Sequence, residues 1–545
     1  MTTPMPSPQS HRARPPARRA CLLALALFST CCNALAAESG ATAAPPDFLP
    51  IVQRFADAML ENSRSRLPDP QLALFPIVLT RDTYEIPKGK VQNLNTARVP
   101  QEFKHTANPH HDQNIYQVLY ALSELTGEAK YAREADRVLG YFLKTCRDAR
   151  YGFFCWGEHL GWDVRTNEPG GFPPADRANA MIHEFYRPWI FWEKSFALAP
   201  EQCVRFAQAL WKFQINHKGG DLSYSRHAQL AKGDEPSRRG YEFPRHGGFY
   251  IATWAAAYRS NQDPQMLEAI AALVGFFEKR RDPQTGAIPH YTGHEFLKSG
   301  QGAQNVYTPS NVSFTVDLHD AAQGLPAALK ARMLALAESQ DKVVLAMAHD
   351  PGPGGKGFVM FSRPETLEPT EYWSKAVDIT NGLPPRRAPY SGGWRSAYVG
   401  QYPHTWIMPS LTARFAQNQN PGFKRLILAC ADNYLVAEPD FQPDKTGRPP
   451  DIEAGVIGNV ILVLNSAYKI TRDSKYLARS EWFGTWAVKN FWPDQHPLPR
   501  ASVHENVYSA ASRSDTLVMA LLETWLLRQP PARAKGVNLI ASDRS

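Results

Sequence analysis

Four histidines between positions 159 and 246 each stand directly beside a glutamate or an arginine. Glu158-His159 closes an aromatic, glycine-rich run (Tyr151-Gly-Phe-Phe-Cys-Trp156-Gly). His183-Glu184, Arg226-His227 and Arg245-His246 follow, the last before Gly247-Gly248. Imidazole combined with carboxylate suits borderline divalent cations, with coordination positions left for substrate. The chain has no HExxH or CxxC spacing, so the residues alone leave a metal site and ordinary loop histidines both open. Glu158, Asp163, Glu184 and Asp221 offer a second chemistry, because two carboxyl groups facing across a cleft can hydrolyse a glycosidic bond. The planar fork of Arg245 can take a carboxylate bidentately. Arg187 is either a further anion-binding residue or an i,i+3 partner of Glu184 on a helix. Trp156 and Tyr241 have the flat amphipathic rings that suit a pyranose face. His183 and His246 read as supporting residues behind the ligands. His110-His111-Asp112 reads as the cap of a first hairpin.

The elements that must carry these residues are helical hairpins. Ala121–Tyr131 (ALSELTGEAKY), Ala256–Met266 (AAYRSNQDPQM) and Ser466–Tyr476 (SAYKITRDSKY) each close one apolar-periodic helix, turn over a polar stretch and open another. A looser copy turns at Ala199-Pro200-Glu201. A helical hairpin cannot bury its apolar face alone, so successive hairpins stack. Long inserts rich in Gly, Pro and aromatics (151–180, 219–247, 284–313, 351–402) suit the cleft walls of a closed ring better than the short, regular loops of a solenoid. The expected fold is therefore all-α, an α/α toroid of antiparallel hairpins around a central cleft, with no large sheet. The later insert around Trp394-Arg395 is placed to cover that cleft.

Residues 1–36 read as an export signal. Arg12, Arg14, Arg18 and Arg19 precede a short apolar run, and Ala34-Leu35-Ala36 ends it. The remaining 37–545 reads as a single toroid domain, periplasmic or secreted, with no inserted membrane helix. Removing the signal takes four arginines and no acid, so the formal charge falls from +8 to +4. So small a surplus gives no reason to expect a nucleic-acid partner. Four cysteines remain, too few and too scattered for a disulfide framework, although Cys146 and Cys155 are close enough in sequence to pair.

Across about 150–260 the chain resembles the periplasmic pectate lyases of polysaccharide lyase family 2, α/α-barrel enzymes. The resemblance rests on the order His159, Glu184, Arg226-His227, with gaps of 25 and 43 residues between the His, the Glu and the second His. It implies a divalent metal of the Mn or Ca class held by His159, Glu184 and His227, with Arg226 as catalytic base. It also implies a substrate-binding lysine from the later half, for which Lys356 and Lys375 are the candidates. The substrate would be an acidic polysaccharide or oligosaccharide, cut by β-elimination. That reaction removes the proton on C5 of a uronate and expels the oxygen on C4, so charge grows on the carboxylate, where a cation or arginines stabilise it. Arginine serves as base only where desolvation and a nearby cation disfavour its charged form. Two other readings stay open: a glycoside or unsaturated-uronyl hydrolase on the same toroid, and a toroid that binds carbohydrate without cleaving it.

Overall fold

The computed structural model describes residues 46–63, 74–91, 101–158, 160–171, 183–224, 226–228, 242–290, 305–373, 386–394, 401–441 and 451–544. The expected signal, His159, Tyr241, Lys375 and Arg395 lie outside them, as does the side chain of His227. Asp47–Ser545 forms one compact unit.

Among the described residues the chain forms fourteen α-helices and only short strands. They are α1 (Leu49–Glu61), α2 (Gln113–Thr126), α3 (Lys130–Thr145), α4 (Trp192–Leu198), α5 (Pro200–Ala209), α6 (Pro244–Asn261), α7 (Pro264–Lys279) and α8 (Thr308–Ala321). After these come α9 (Ala327–Ala346), α10 (Met408–Asn418), α11 (Pro421–Val436), α12 (Ala454–Thr471), α13 (Ser474–Phe491) and α14 (Ser514–Arg528). Among the described residues no strand exceeds three residues, and the sheets are two- or three-stranded ribbons.

The hairpin turns share one chemistry. Gln262, Gln419 and Arg472 close their helices in the left-handed region, and Asp263, Asn420 and Asp473 then cap the next helix through a side-chain oxygen. Gly127 fills the left-handed position between α2 and α3. Asp112, by contrast, precedes α2 without a side-chain cap bond, so the cap expected there is not formed. Hydroxyl bonds tie successive outer helices: Tyr131 donates to Asp57 of α1, and Tyr476 donates to Asp432 of α11.

Helices α6, α8, α10, α12 and α14 pack side by side in that order, and α14 returns to α2. Asn114 of α2 donates from its backbone N–H to Asp515 and from its side chain to Thr516, both of α14, which closes the ring. The chain's first described helix, α1, backs α14 from outside. The molecule is thus the α/α toroid expected, stabilised mainly by burial of the apolar faces between its two layers. By length and composition α12 could cross a membrane, but it is an inner helix of the ring and 67% buried.

Candidate active site

The inner helices present their N-terminal ends at one mouth of the ring. The backbone N–H of Arg245, in the first turn of α6, donates to Ser310 of α8. The Trp406 indole, just before α10, donates to the hydroxyl of Tyr307, just before α8. Gly455 of α12 donates to the carbonyl of Ser512, before α14. Helix N-termini carry partial positive charge and unbonded N–H groups, so this mouth favours anions.

A two-stranded antiparallel ribbon lies at that mouth. His183–Glu184 pairs with His227–Ala228, and Glu184 is the register partner of His227. The Glu184 N–H also donates to the Trp156 carbonyl, which fastens the ribbon to the aromatic run. A side chain at Gly157 would meet Glu184 Cβ at 3.0 Å and the Glu184 carbonyl oxygen at 3.1 Å, so the close approach leaves little room for one.

The ribbon brings Glu184 and Arg226 together. Arg226 Nη1 lies 2.6 Å from Glu184 Oε1 and 2.7 Å from Glu158 Oε2. The side chains of Glu184, Glu158 and Arg226 are 0%, 7% and 11% exposed. Glu158 donates its backbone N–H to Glu184 Oε2 at 3.3 Å. Two nearly buried carboxylates thus share one guanidinium nitrogen, and the pairing offsets their desolvation. Arg226 and Arg245 both lie over the Phe243 ring, at 5.6 and 5.8 Å, and Phe243 stacks on His290 with centroids 4.0 Å apart. Burial first, and the charge of Arg226, lower the pKa of Arg245, while Tyr307, Glu158 and Glu184 oppose the shift. Its Nε is buried without a hydrogen-bond partner among the described residues.

His183 and His246 brace this arrangement. His183 Nδ1 bonds the Phe154 carbonyl, its ring stacks on Phe153, and burial pushes its pKa down to about 3. His246 Nε2 bonds the Phe185 carbonyl at 2.9 Å. Both imidazoles are fully buried behind the ribbon.

Two expectations change. Trp156 is 0% exposed, packed against His110, Phe154, Trp189 and Phe206, and has no face left for a sugar. Arg187 is also fully buried and pairs with Asp543, not with Glu184 or with solvent. Lys356 sits exposed on a turn, with its N–H on Asp350, and none of its described contacts reaches Arg226. Cys146 and Cys155 are buried free thiols.

The carboxylates considered for hydrolysis separate into two groups. Asp163 is taken by Arg165, and Asp221 accepts from Asn216 and Ser223. Only Glu158 and Glu184 share a site, and a guanidinium fills the space between them. Sequence reasoning had not given Glu158 a part in holding Arg226, nor singled out Phe243 and Tyr307 at the mouth. The aromatic-polar run from Tyr241 to His246 is the signal that could have found Phe243.

The matched segment contains every residue of this cluster. Residues 96–291 match the family model of periplasmic pectate lyases. A pectate disaccharide-lyase of Dickeya dadantii is 26% identical over 142 residues, which is 26% of this chain and 25% of that enzyme, so the match spans a quarter of the relative's length. Among solved structures, a cellobiose 2-epimerase from Bacillus thermoamylovorans overlays with a TM-score of 0.42 and 10% identity, over 86% of this chain and 99% of that one. A heparin-specific unsaturated glucuronyl hydrolase overlays at 0.42 and 10% identity, over 88% and 95%. Neither overlay bears on the chemistry of this chain.

Proposed function

We propose that this chain is an exported polysaccharide lyase that cleaves a uronate-containing, pectate-like polymer by β-elimination, with Arg226 as base. The observation that carries the reading is the Glu158–Arg226–Glu184 cluster, lying at an anion-favouring mouth inside the segment matched by the pectate lyase model.

His159, Glu184 and His227 would hold the divalent cation. The fit is supported by the chemistry of the donors: Glu184 and Glu158 already converge on a cationic nitrogen, and His227 is in register with Glu184. When bound, the cation supplies positive charge to the substrate carboxylate as the C5 proton departs. Two carboxylates pair with the Arg226 guanidinium and favour its charged form. Were Glu184 engaged as a ligand, Arg226 would lose one of them and its neutral form would be more accessible. Arg226 then takes the C5 proton, the C4–O bond breaks, a C4=C5 double bond forms, and water protonates the departing oxygen. Arg245, over the same Phe243 ring as Arg226, holds the uronate carboxylate.

The test is to incubate the purified protein with polygalacturonate and follow ultraviolet absorbance of the conjugated double bond. Absorbance should rise, stop on addition of chelator, and be absent for Arg226→Ala. New reducing ends without absorbance would establish hydrolysis instead. Neither signal, with sugar still raising the melting temperature, would indicate binding alone.

A further inference from the structure

A segment more than three hundred residues beyond the ribbon reaches into the ring and touches the chain next to Glu184. Residues Asn538–Arg544 run along the inner faces of α2, α8 and α14. Ile540 exchanges two bonds with the Gln117 side chain of α2, and Ser542 donates to Asn114. Arg544 pairs with Asp317 of α8 at 3.0 Å, and Asp543 accepts from Thr516 of α14 at 2.6 Å. A cavity of about 750 Å³ flanks the segment, lined by Met408, Thr412, Asn459, Val463 and Met519 of the inner helices. The segment is therefore a strap across the bore.

At the strap's tip, Asp543 Oδ1 lies 2.5 Å from Arg187 Nη1, with side chains 3% and 0% exposed. Arg513 approaches the other carboxylate oxygen at 3.9 Å. Burial opposes the charge on Asp543, but Arg187, Arg513 and the Thr516 hydroxyl hold its pKa below the ordinary value. Arg187 lies over the Tyr186 ring at 4.7 Å, and the other contacts of Tyr186 fasten the loop: its ring stacks on His111, and its N–H donates to His110. Glu184 is three residues before Arg187 and two before Tyr186. We propose that Asp543 is a positioning residue for the proposed reaction: by holding Arg187 it fixes the end of the strand that presents Glu184 to Arg226. This rests on Glu184 working in that site. A buried ion pair is a poor source of net stability compared with apolar packing, but the Arg187 guanidinium is buried with no hydrogen bond among the described residues, so its position depends on the charge of Asp543 beside it. Displacing a reacting group slightly lowers the rate far more than it weakens binding.

The test compares Asp543→Asn with Asp341→Asn. Asp341 makes an equally buried pair with Arg414 between α9 and α10, away from the ribbon. Hydrogen exchange of amides 183–187 should quicken about tenfold in Asp543→Asn and stay at the wild-type rate in Asp341→Asn. On polygalacturonate, kcat should fall about tenfold or more in Asp543→Asn, with KM nearly unchanged, while Asp341→Asn keeps its kcat. Should Asp543→Asn not fold, Thr516→Val removes the hydroxyl that donates to Asp543 and accepts from Asn114, and should quicken the same amides to a smaller degree, with Asn114→Ala, which removes the Asn114 bond alone, as its control. Unchanged exchange at 183–187 in the folded variant, or equal effects in both aspartate variants, overturns the proposal. A wild-type protein with no lyase activity would overturn the functional reading instead, and the exchange measurement would still decide the role of Asp543.

Discussion

Glu184 stands on one strand of the ribbon and Arg226 directly before the other, with Arg226 Nη1 2.6 Å from Glu184 Oε1, and Glu158 closes on the same nitrogen. This changes what removal of the arginine should do. Arg226→Ala should abolish turnover, a loss of about 10²–10⁴ for a proton-transfer group. It should also leave two buried carboxylates facing each other, and breaking such a pair costs about 3–5 kcal/mol. A divalent cation can take the vacated position between the carboxylates, so calcium or manganese should raise the melting temperature of Arg226→Ala more than that of the wild type. Thermal melts with metal and with chelator check this, and an equal metal response in the two proteins would refute it.

Trp156 belongs to the core. Trp156→Ala should cost about 3–5 kcal/mol through loss of apolar contact and the cavity left behind. KM for the polymer should stay within the range of other core variants of similar stability. Urea unfolding and initial-rate kinetics on the same preparation separate the two effects. A variant of full stability with a sharply raised KM would return Trp156 to the substrate surface.

How much of this was legible follows from the range of each contact. The hairpins were readable because each turn carries its own chemistry, as at Gln262-Asp263 and Arg472-Asp473. The same turn at Gln419-Asn420 lies inside the polar run Gln417-Asn-Gln-Asn420, which blurs its boundary in the sequence. Glu184 and Arg226 could be singled out because Arg-His and His-Glu pairs are unusual in a loop. Arg187 could not be assigned, since its partner Asp543 lies far along the chain and no local pattern announces it. Trp156 misled for a similar reason: glycine beside an aromatic suggests an exposed loop, whereas here Gly157 lets the ribbon close over the ring.

Acid sensitivity should come partly from His349. Its Nε2 bonds the Val344 carbonyl and its Nδ1 accepts from the Val359 N–H, so the native state holds the neutral ring. Burial lowers its pKa from the usual 6.5 to about 4. Between those values the unfolded chain binds the proton that the native state refuses. Stability from this group is thus present above about pH 6.5 and lost as pH falls toward 4, by up to about 1.4 kcal/mol per pH unit. His105 and His404, also lowered to about 4 with burial as the largest cause, add to this slope, whereas Asp317 and Asp515, both raised to about 7 with burial as the largest cause, act with the opposite sign, so the His349 contribution is read as a difference between variants. Melting temperatures between pH 4 and 7 should therefore fall less steeply in His349→Gln than in the wild type, and parallel curves would refute the assignment.

The paired glycines after His246 should tolerate no side chain. A Cβ on Gly247 would meet Phe277 of α7 at 2.3 and 2.5 Å, and one on Gly248 would meet Asp317 Oδ2 at 2.9 Å. Phe277 is fully buried and cannot move aside cheaply. Helix propensity favours Gly→Ala by about 1 kcal/mol, but overpacking costs about 1–3 kcal/mol or more, so the clash should win at Gly247. Gly275 of α7 is the contrast, because its added methyl would meet only the flexible end of Arg332, at 3.6 Å. Gly247→Ala should lose stability and Gly275→Ala should gain about 0.5–1 kcal/mol in denaturant unfolding. Arg245 lies two residues before Gly247, so any shift of α6 that relieves the clash moves its guanidinium as well. Gly247→Ala should accordingly bind polymer more weakly, while Gly275→Ala should not. A stabilised Gly247→Ala with unaltered KM would mean that α6 has more room at its first turn than these contacts allow.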